Sequence, residues 1–189
     1  MFTRLAAAYS EPTRAYHTAE HIEDCLILLD ASRVVAEKAD EVEAAIWFHD
    51  AVYVAARTDN EERSADLARA TLRDARVAFA VAERIGALVL ATRHQTTPGE
   101  SDAALLCDVD LSILGRSPEV FDRFESQIRQ EYAMVPELFY RKARSEILRG
   151  LLNRASIYQT AWFRQRYENQ ARANLDRVLS LFSLLPKAT

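Results

Sequence analysis

The sequence has few residues that interrupt helices or cross-link a chain. Four glycines and five prolines occur among 189 residues, so few tight turns are possible. Cys25 and Cys107 each lie in an apolar run, which favours small core residues over a disulfide. No apolar run of about 18 residues occurs, and the opening MFTRLAAAYS is too short and too weakly apolar for a secretory signal. We therefore expect a cytoplasmic protein without a membrane span.

The charge of the chain argues against two classes of partner. A net charge of −4 does not favour a nucleic-acid polymer or an anionic membrane. Charged residues make up 28% and hydrophobic residues 49%, as in an ordinary soluble protein. A chain of 189 residues can bury a substantial core. We predict a single domain over residues 1–189, whose long C-terminal helices are compatible with a homodimer and equally with closure of the core.

Helical periodicity runs through almost every segment, and strand-like alternation is scarce. Ala103–Leu114 also alternates like a strand, but its neighbours favour a helix. Ser117-Pro118 is a strong helix start. The predicted helices cover Thr3–Tyr9, Thr18–Ala31, a segment capped by Asp40, Asp59–Leu72, Arg76–Arg93, Ala103–Leu114, a segment from Ser117, a segment from Pro136, and Ser156–Leu185. The sequence thus predicts an all-α helical bundle.

The stretch Ala45–Tyr53, AIWFHDAVY, carries the strongest functional signal. Val42, Ile46 and His49 are spaced by four and three residues, which places His49 on the core-facing side of a helix. A buried histidine beside Asp50 is energetically costly unless something compensates it, and a divalent cation does so well. We therefore predict a metal site inside the bundle.

The other three histidines, His17, His21 and His94, lie in segments that could return to the same centre, as do Asp108 and Asp110. Because His17 and His21 are four residues apart, they share a face if both are helical. Both could then bind one metal, or one could ligate while the other faces substrate. A hydrogen-bonded surface pair is the alternative.

His94 and Glu61 are candidates to support a ligand from behind or to bind a second metal ion. His94 could instead be a helix-terminal histidine that bonds free carbonyls, and Glu61 an ordinary acid in a first turn.

Three motifs in order resemble the HD-domain superfamily of metal-dependent phosphohydrolases, whose ligands follow the order His, His-Asp, Asp on an all-helical bundle. Tyr16–Ile22 (YHTAEHI) is similar to the tyrosine-histidine segment of class I cyclic-nucleotide phosphodiesterases. Phe48–Tyr53 (FHDAVY) holds the His-Asp pair, and Cys107–Ser112 (CDVDLS) resembles the alanine-aspartate-leucine-serine segment of those enzymes. The resemblance places the metal-site core at about residues 16–115, with helices over about 117–185 completing a bundle of the HD type.

Carried over position by position, the resemblance implies four metal ligands: His21, His49, Asp50 and Asp110. The register of the aspartate-leucine-serine segment favours Asp110, with Asp108 as the alternative last ligand or as a residue behind the ligands. His17 would be the general acid that protonates the leaving oxygen. Asp50 would bind the metal alone or also contact the attacking water.

The sequence also departs from the known branches. The histidine that follows the His-Asp pair in the phosphodiesterases is replaced here by Ala51-Val52-Tyr53, and their purine-clamping glutamine region has no counterpart. The double histidine of cyclic-di-nucleotide hydrolases and the glutamate-aspartate extension of alarmone hydrolases are absent. DNEERSA, DVDLSILG and IRQEY instead resemble a bacterial branch of the superfamily.

Two imidazoles and two carboxylates suit a divalent Mn, Fe, Zn, Ni or Co ion, and Mg is retained as a candidate. A phosphate substrate also needs positive charge beyond the metal, for which Arg144 and Arg129 are the predicted sources.

We expect a metal-dependent phosphohydrolase that uses a metal-bound water to cleave a phosphoester or phosphoanhydride bond of a nucleotide or small phosphorylated metabolite. The alternative is a non-catalytic, metal-stabilised module that binds a nucleotide or a protein. An oxygen-using metal enzyme ranks last, because two irons usually need more histidines than the four present.

Overall fold

The computed structural model describes residues 2–55, 57–96, 98 and 101–184, and over these residues the fold is all-helical, as predicted. The α-helices are α1 (Phe2–Ala8), α2 (Ala19–Ser32), α3 (Ala39–Phe48), α4 (Asn60–Asp74), α5 (Phe79–Ala91), α6 (Ser101–Asp110), α7 (Pro118–Glu131), α8 (Glu137–Leu152) and α9 (Ala161–Leu184). Two short 3₁₀ helices span Arg33–Val35 and Leu111–Gly115.

The chain divides into two compact units, residues 1–110 and 111–189. The first unit contains α1–α6 and all the predicted metal ligands, and the second contains α7–α9. The expectation of one domain over residues 1–189 stays a prediction.

Helix α3 lies at the centre of the first unit and contacts α2, α4, α5 and α6. Its periodic apolar residues Val42, Ala45 and Ile46 are fully buried, and His49 just after them is 2% exposed. The predicted core-facing spacing is therefore confirmed. Because α3 packs on four neighbours, the residues at its end are held inside the unit rather than at its surface.

The ambiguous segment after residue 102 is helical. It forms α6 and then the 3₁₀ helix Leu111–Gly115. All six residues from Ala104 to Val109 are buried, because α6 contacts α2, α3 and α5. A helix covered on nearly every side has no polar face, and this explains why the sequence pattern did not separate helix from strand.

The predicted cap of α3 is wrong. The helix begins at Ala39 with Lys38 at the N-cap, so Asp40 lies in its first turn, where it pairs with Arg33. Asp102 of α6 instead accepts hydrogen bonds from the main-chain N–H groups of Glu37 and Lys38, at 2.7 and 3.0 Å. The carboxylate of Asp102 thus pairs N–H groups that lie just before α3. A capping side chain within α3 itself would not reach these N–H groups.

In the second unit, α9 contacts both α8 and the 3₁₀ helix. Gly115 lies so close to α9 that a Cβ atom there would be 2.6 Å from the Cβ of Tyr167, which favours glycine at this position. The helix predicted from Ser156 begins only at Ala161. Residues 156–158 are bound instead by the carboxylate of Glu168, which accepts their N–H and hydroxyl groups.

Helix α7 begins as predicted, with Ser117 at the N-cap and Pro118 in the first turn. Cys25 and Cys107 are buried thiols and not a disulfide, also as predicted. No helix in the described part of the chain combines the length and apolar character that a bilayer span requires.

Candidate metal centre

The four predicted ligands come from helices of the first unit and meet at one place. His21 lies in the first turn of α2, and His49 is the C-cap of α3, with Asp50 directly after it. Asp110 is the last residue of α6. Both histidines are almost completely buried, at 5% and 2% exposure, so their interactions are made with protein groups rather than bulk water.

The donor atoms are spaced as ligands of a single ion would be. The Nε2 atoms of His21 and His49 are 3.2 Å apart, and Asp110 Oδ1 lies 3.4 and 3.6 Å from them. Two atoms that each bind one metal at about 2.1 Å lie about 3.0–3.4 Å apart in octahedral or tetrahedral geometry. His21, His49 and Asp110 therefore form a group that could hold a metal ion.

Asp50 borders this group. Its Oδ2 atom lies 3.0 Å from His49 Nε2 and 3.8 Å from His21 Nε2. A fourth donor at these distances would complete a site of two nitrogens and two oxygens, and Asp50 as a ligand stays a prediction.

The ring of His49 is fixed by its own helix. Its Nδ1 atom lies 2.8 Å from the main-chain carbonyl of Ile46. Because a carbonyl can only accept, Nδ1–H is the donor, and Nε2 is the ring nitrogen that faces the other candidate ligands. Nε2 carries a proton while the ring is charged and would present a lone pair to a metal ion once the ring is neutral. A hydrogen bond from the opposite ring nitrogen is typical of metal-binding histidines.

His94 forms a hydrogen bond with the carboxylate oxygen of Asp110 that does not face His21 and His49. Its Nε2 atom lies 2.7 Å from Asp110 Oδ2, and since a carboxylate only accepts, Nε2–H donates. This bond leaves Asp110 Oδ1 directed at the two ligand histidines. Of the three interpretations of His94, this contact matches the one in which the ring supports a ligand. The residue also has a φ of 55°, a left-handed conformation that is unfavourable for a non-glycine residue by about 1–2 kcal/mol.

Electrostatics keep both carboxyl groups of the site ionised. Burial raises the pKa of Asp110, but hydrogen bonds with His21, His49 and His94 outweigh it and lower the pKa well below its usual value. Burial likewise opposes ionisation of Asp50, but His49 and His17 lower its pKa overall. For His49, burial favours the neutral ring, yet the charge of Asp50 and hydrogen bonds with both carboxylates raise its pKa.

Helix geometry distinguishes Asp110 from Asp108, the alternative last ligand. Residues two apart on a helix point about 200° away from each other, so the two carboxylates cannot face the same place. Asp110 faces the histidines, whereas Asp108 is completely buried and is not a member of the group.

His17 and Glu61 lie beside the group without belonging to it. Helix α2 begins at Ala19, so His17 precedes it and the predicted shared helical face is not formed. The charge of a protonated His17 lowers the pKa of Asp50, which places the ring within electrostatic reach of that carboxylate. Burial raises the pKa of Glu61 in α4, and Asp50 raises it further.

The two arginines predicted to bind phosphate are already paired within the second unit. The guanidinium of Arg144 is bound by the carboxylate of Glu125, and both side chains are 12% exposed. Arg129 donates to Glu137 and to the main-chain carbonyls of Tyr132 and Val135. Their role toward a substrate stays a prediction.

Sequence reasoning missed two neighbours of the group. The Sγ atom of Cys25 lies 3.8 Å from each ring nitrogen of His21, one helical turn away. Arg14 donates to main-chain carbonyls of the His-Asp segment. The i, i+4 spacing could have indicated Cys25, whereas nothing local in the sequence indicates Arg14.

No protein-family model, curated protein or solved structure matches this chain. The resemblance to the HD-domain superfamily therefore stays a prediction that rests on the motifs themselves.

Proposed function

We propose that this protein is a metal-dependent phosphohydrolase of the HD type, acting on a nucleotide or another small phosphorylated metabolite. The observation that carries the proposal is the convergence of two imidazole nitrogens and an aspartate oxygen, from His21, His49 and Asp110, within 4.8 Å of one another. A second carboxylate, that of Asp50, lies 3.0 Å from one of those nitrogens.

The donor set defines the class of ion. Imidazole nitrogens with carboxylate oxygens suit divalent Mn, Fe, Co, Ni or Zn better than a soft ion that requires thiolates. When bound, such an ion would supply the positive charge that acidifies a water and polarises a phosphoryl oxygen.

The protein's own residues would contribute charge, orientation and a proton. Asp50 and Asp110 stay ionised because the histidines lower their pKa values, so they can offset the charge of a cation. The bond from His49 to Ile46 holds one ligand ring in place. His17, beside Asp50 but outside the ligand group, would donate a proton to the leaving oxygen.

One observation favours the second candidate, a non-catalytic metal-stabilised module. The arginines predicted to bind phosphate already have acidic partners, Glu125 for Arg144 and Glu137 for Arg129. A substrate phosphate would have to compete with these carboxylates.

Phosphate release from a panel of nucleotides and phosphorylated metabolites tests the proposal, with Mn²⁺, Mg²⁺, Co²⁺ or Ni²⁺ added to metal-free protein. We expect wild type and the matched control Asp66→Ala, an exposed aspartate of the same unit, to be active. Asp50→Ala should lose at least about a hundredfold in rate. A folded, metal-loaded wild type that releases no phosphate would instead support the binding module.

A further inference from the structure

Arg14 is a buried, permanently charged side chain next to the metal group. Only 7% of its surface is exposed. Burying a guanidinium is costly unless its donors are matched. The identity of its partners therefore indicates what the side chain does.

Three of those partners are main-chain carbonyls, and two of the three belong to the candidate site residues His17 and Asp50. Nη1 donates to the carbonyl of Asp50 at 2.7 Å and to that of His17 at 3.2 Å. Nη2 donates to the carbonyl of Ala51 at 3.4 Å, and Nε to the carboxylate of Glu11 at 3.0 Å. One side chain thus joins the segment before α2 to the segment after α3.

The same guanidinium also contacts the ring of Tyr53, which stacks on the ring of His17. It lies 5.3 Å from the ring centre of Tyr9 and 5.5 Å from that of Tyr53. The rings of Tyr53 and His17 are stacked, with centres 4.1 Å apart and planes 28° from parallel. Arg14 therefore holds both members of this stack, His17 by its carbonyl and Tyr53 by its ring face.

We propose that Arg14 is a positioning residue that fixes the His17 ring beside the metal group by joining the backbone of His17 to that of Asp50 and Ala51. Its effect on turnover rests on the proposed function, but its effect on the His17 ring does not.

A lysine at position 14 should not perform the positioning role of Arg14. Three carbonyls and one carboxylate are reached by a planar fork, whereas an ammonium is a single point with a different geometry. Arg14→Lys keeps the charge and should release His17, and Arg14→Gln removes the charge as well.

The first experiment uses NMR of the metal-free protein with ¹³C-labelled histidine. Only four histidines occur, so each signal can be assigned by substitution. Stacking on Tyr53 shifts the His17 ring protons upfield, and Tyr53→Leu sets the position of an unstacked ring. We expect Arg14→Lys and Arg14→Gln to move the His17 signal most of the way to that position, with the His94 signal unchanged.

The control is Arg84→Gln, which removes another arginine of the same unit that is paired with Glu41. It should leave the His17 signal at its wild-type position. A folded Arg14→Lys protein with an unshifted His17 signal would overturn the proposal. So would failure of both Arg14 variants to fold, since the residue would then be a requirement of the fold itself.

The second experiment applies if the protein hydrolyses phosphate. Arg14→Lys should lower kcat by about tenfold to a hundredfold, because a catalytic group is misplaced, with little change in metal affinity. In a His17→Ala background the same change should cost almost nothing more. Additive losses in the double variant would show that Arg14 acts independently of His17 and would overturn the proposal.

Discussion

The two units each contain a dense polar cluster, and the clusters are built on opposite principles. In the second unit, the carboxylate of Glu168 is surrounded by donors. It accepts from the N–H groups of Ile157 and Tyr158, the hydroxyl of Ser156 and the guanidinium of Arg172, at 2.7 to 3.2 Å. Such a cluster satisfies itself and stabilises the fold.

In the first unit, two carboxylates and two imidazole nitrogens face one another. Asp110 Oδ2 has a donor in His94, whereas Oδ1 faces the Nε2 atoms of His21 and His49. The two carboxylates raise the pKa of His49, so a proton on its Nε2 atom holds the metal-free cluster together. The carboxylate of Asp50 lies beside the same atoms. The comparison teaches that the Glu168 cluster is matched by fixed donors, whereas the first cluster depends on protons that a cation would displace.

The largest expected effect is the change in stability when metal is added. A divalent cation at a hundred times its Kd should raise the free energy of unfolding of wild type by about 2.7 kcal/mol. Asp110→Ala should lose this increment, because it removes a candidate ligand oxygen, and Glu168→Ala should keep it. Thermal unfolding with and without Zn²⁺ measures both. An equal increment in Asp110→Ala would break the comparison.

Next in size is the loss of the matched carboxylate. Glu168→Ala should destabilise the metal-free protein by about 2 kcal/mol, since two N–H groups and the charge of Arg172 lose their acceptor. Urea unfolding followed by circular dichroism measures the change. Glu168→Gln, which keeps the shape and one acceptor oxygen, should cost less. If Glu168→Ala lowered the free energy of unfolding by no more than the loss of an exposed ion pair does, the stabilising role of the Glu168 cluster would be contradicted.

The stability that Glu168 contributes should also depend on pH. Burial raises the pKa of Glu168, but hydrogen bonds from Ile157, Tyr158, Ser156 and Arg172 lower it overall. A lowered pKa in the folded state contributes stability above the unfolded value, near 4.5, that is lost as the pH falls through the folded value. The stability difference between wild type and Glu168→Gln should therefore be constant above the unfolded value and shrink as the pH falls below it. A difference independent of pH would be inconsistent with this mechanism.

The smallest expected effect comes from an exposed pair. Arg177 Nη2 lies 2.5 Å from Asp122 Oδ1, and the two side chains are 37% and 53% exposed. Arg177→Ala should change the free energy of unfolding by no more than about 0.5 kcal/mol, because solvent screens the pair. Measured beside Glu168→Ala, it separates the effect of burial from that of charge pairing.

Much of the fold could be predicted from the sequence because helices leave a periodic trace. The spacing of Val42, Ile46 and His49 predicted the buried side of α3, and Ser117-Pro118 predicted the start of α7. At the candidate metal centre, three side chains that the motifs singled out, His21, His49 and Asp110, lie together in one group, and their role as ligands stays a prediction.

The contacts that could not be predicted share a physical cause. Arg14, Asp102 and Glu168 bind main-chain groups that lie 37, 65 and 11 residues away along the chain. Any residue type supplies an N–H or a carbonyl to such a contact, apart from the missing N–H of proline, so the partner position shows no characteristic residue. The same cause explains why Asp40 was wrongly predicted as the cap of α3.

The positions of the ligands along their helices have a further consequence. His49 follows the last residue of α3, so this helix ends at the candidate ligand group, whereas α6 continues past Asp110 as the 3₁₀ helix Leu111–Gly115. The C-terminal end of a helix carries a partial negative charge of about half an elementary unit. The backbone therefore adds to the field of the two aspartates, which attracts a cation and repels a phosphate. Binding should consequently be ordered, with the metal entering before any anionic ligand.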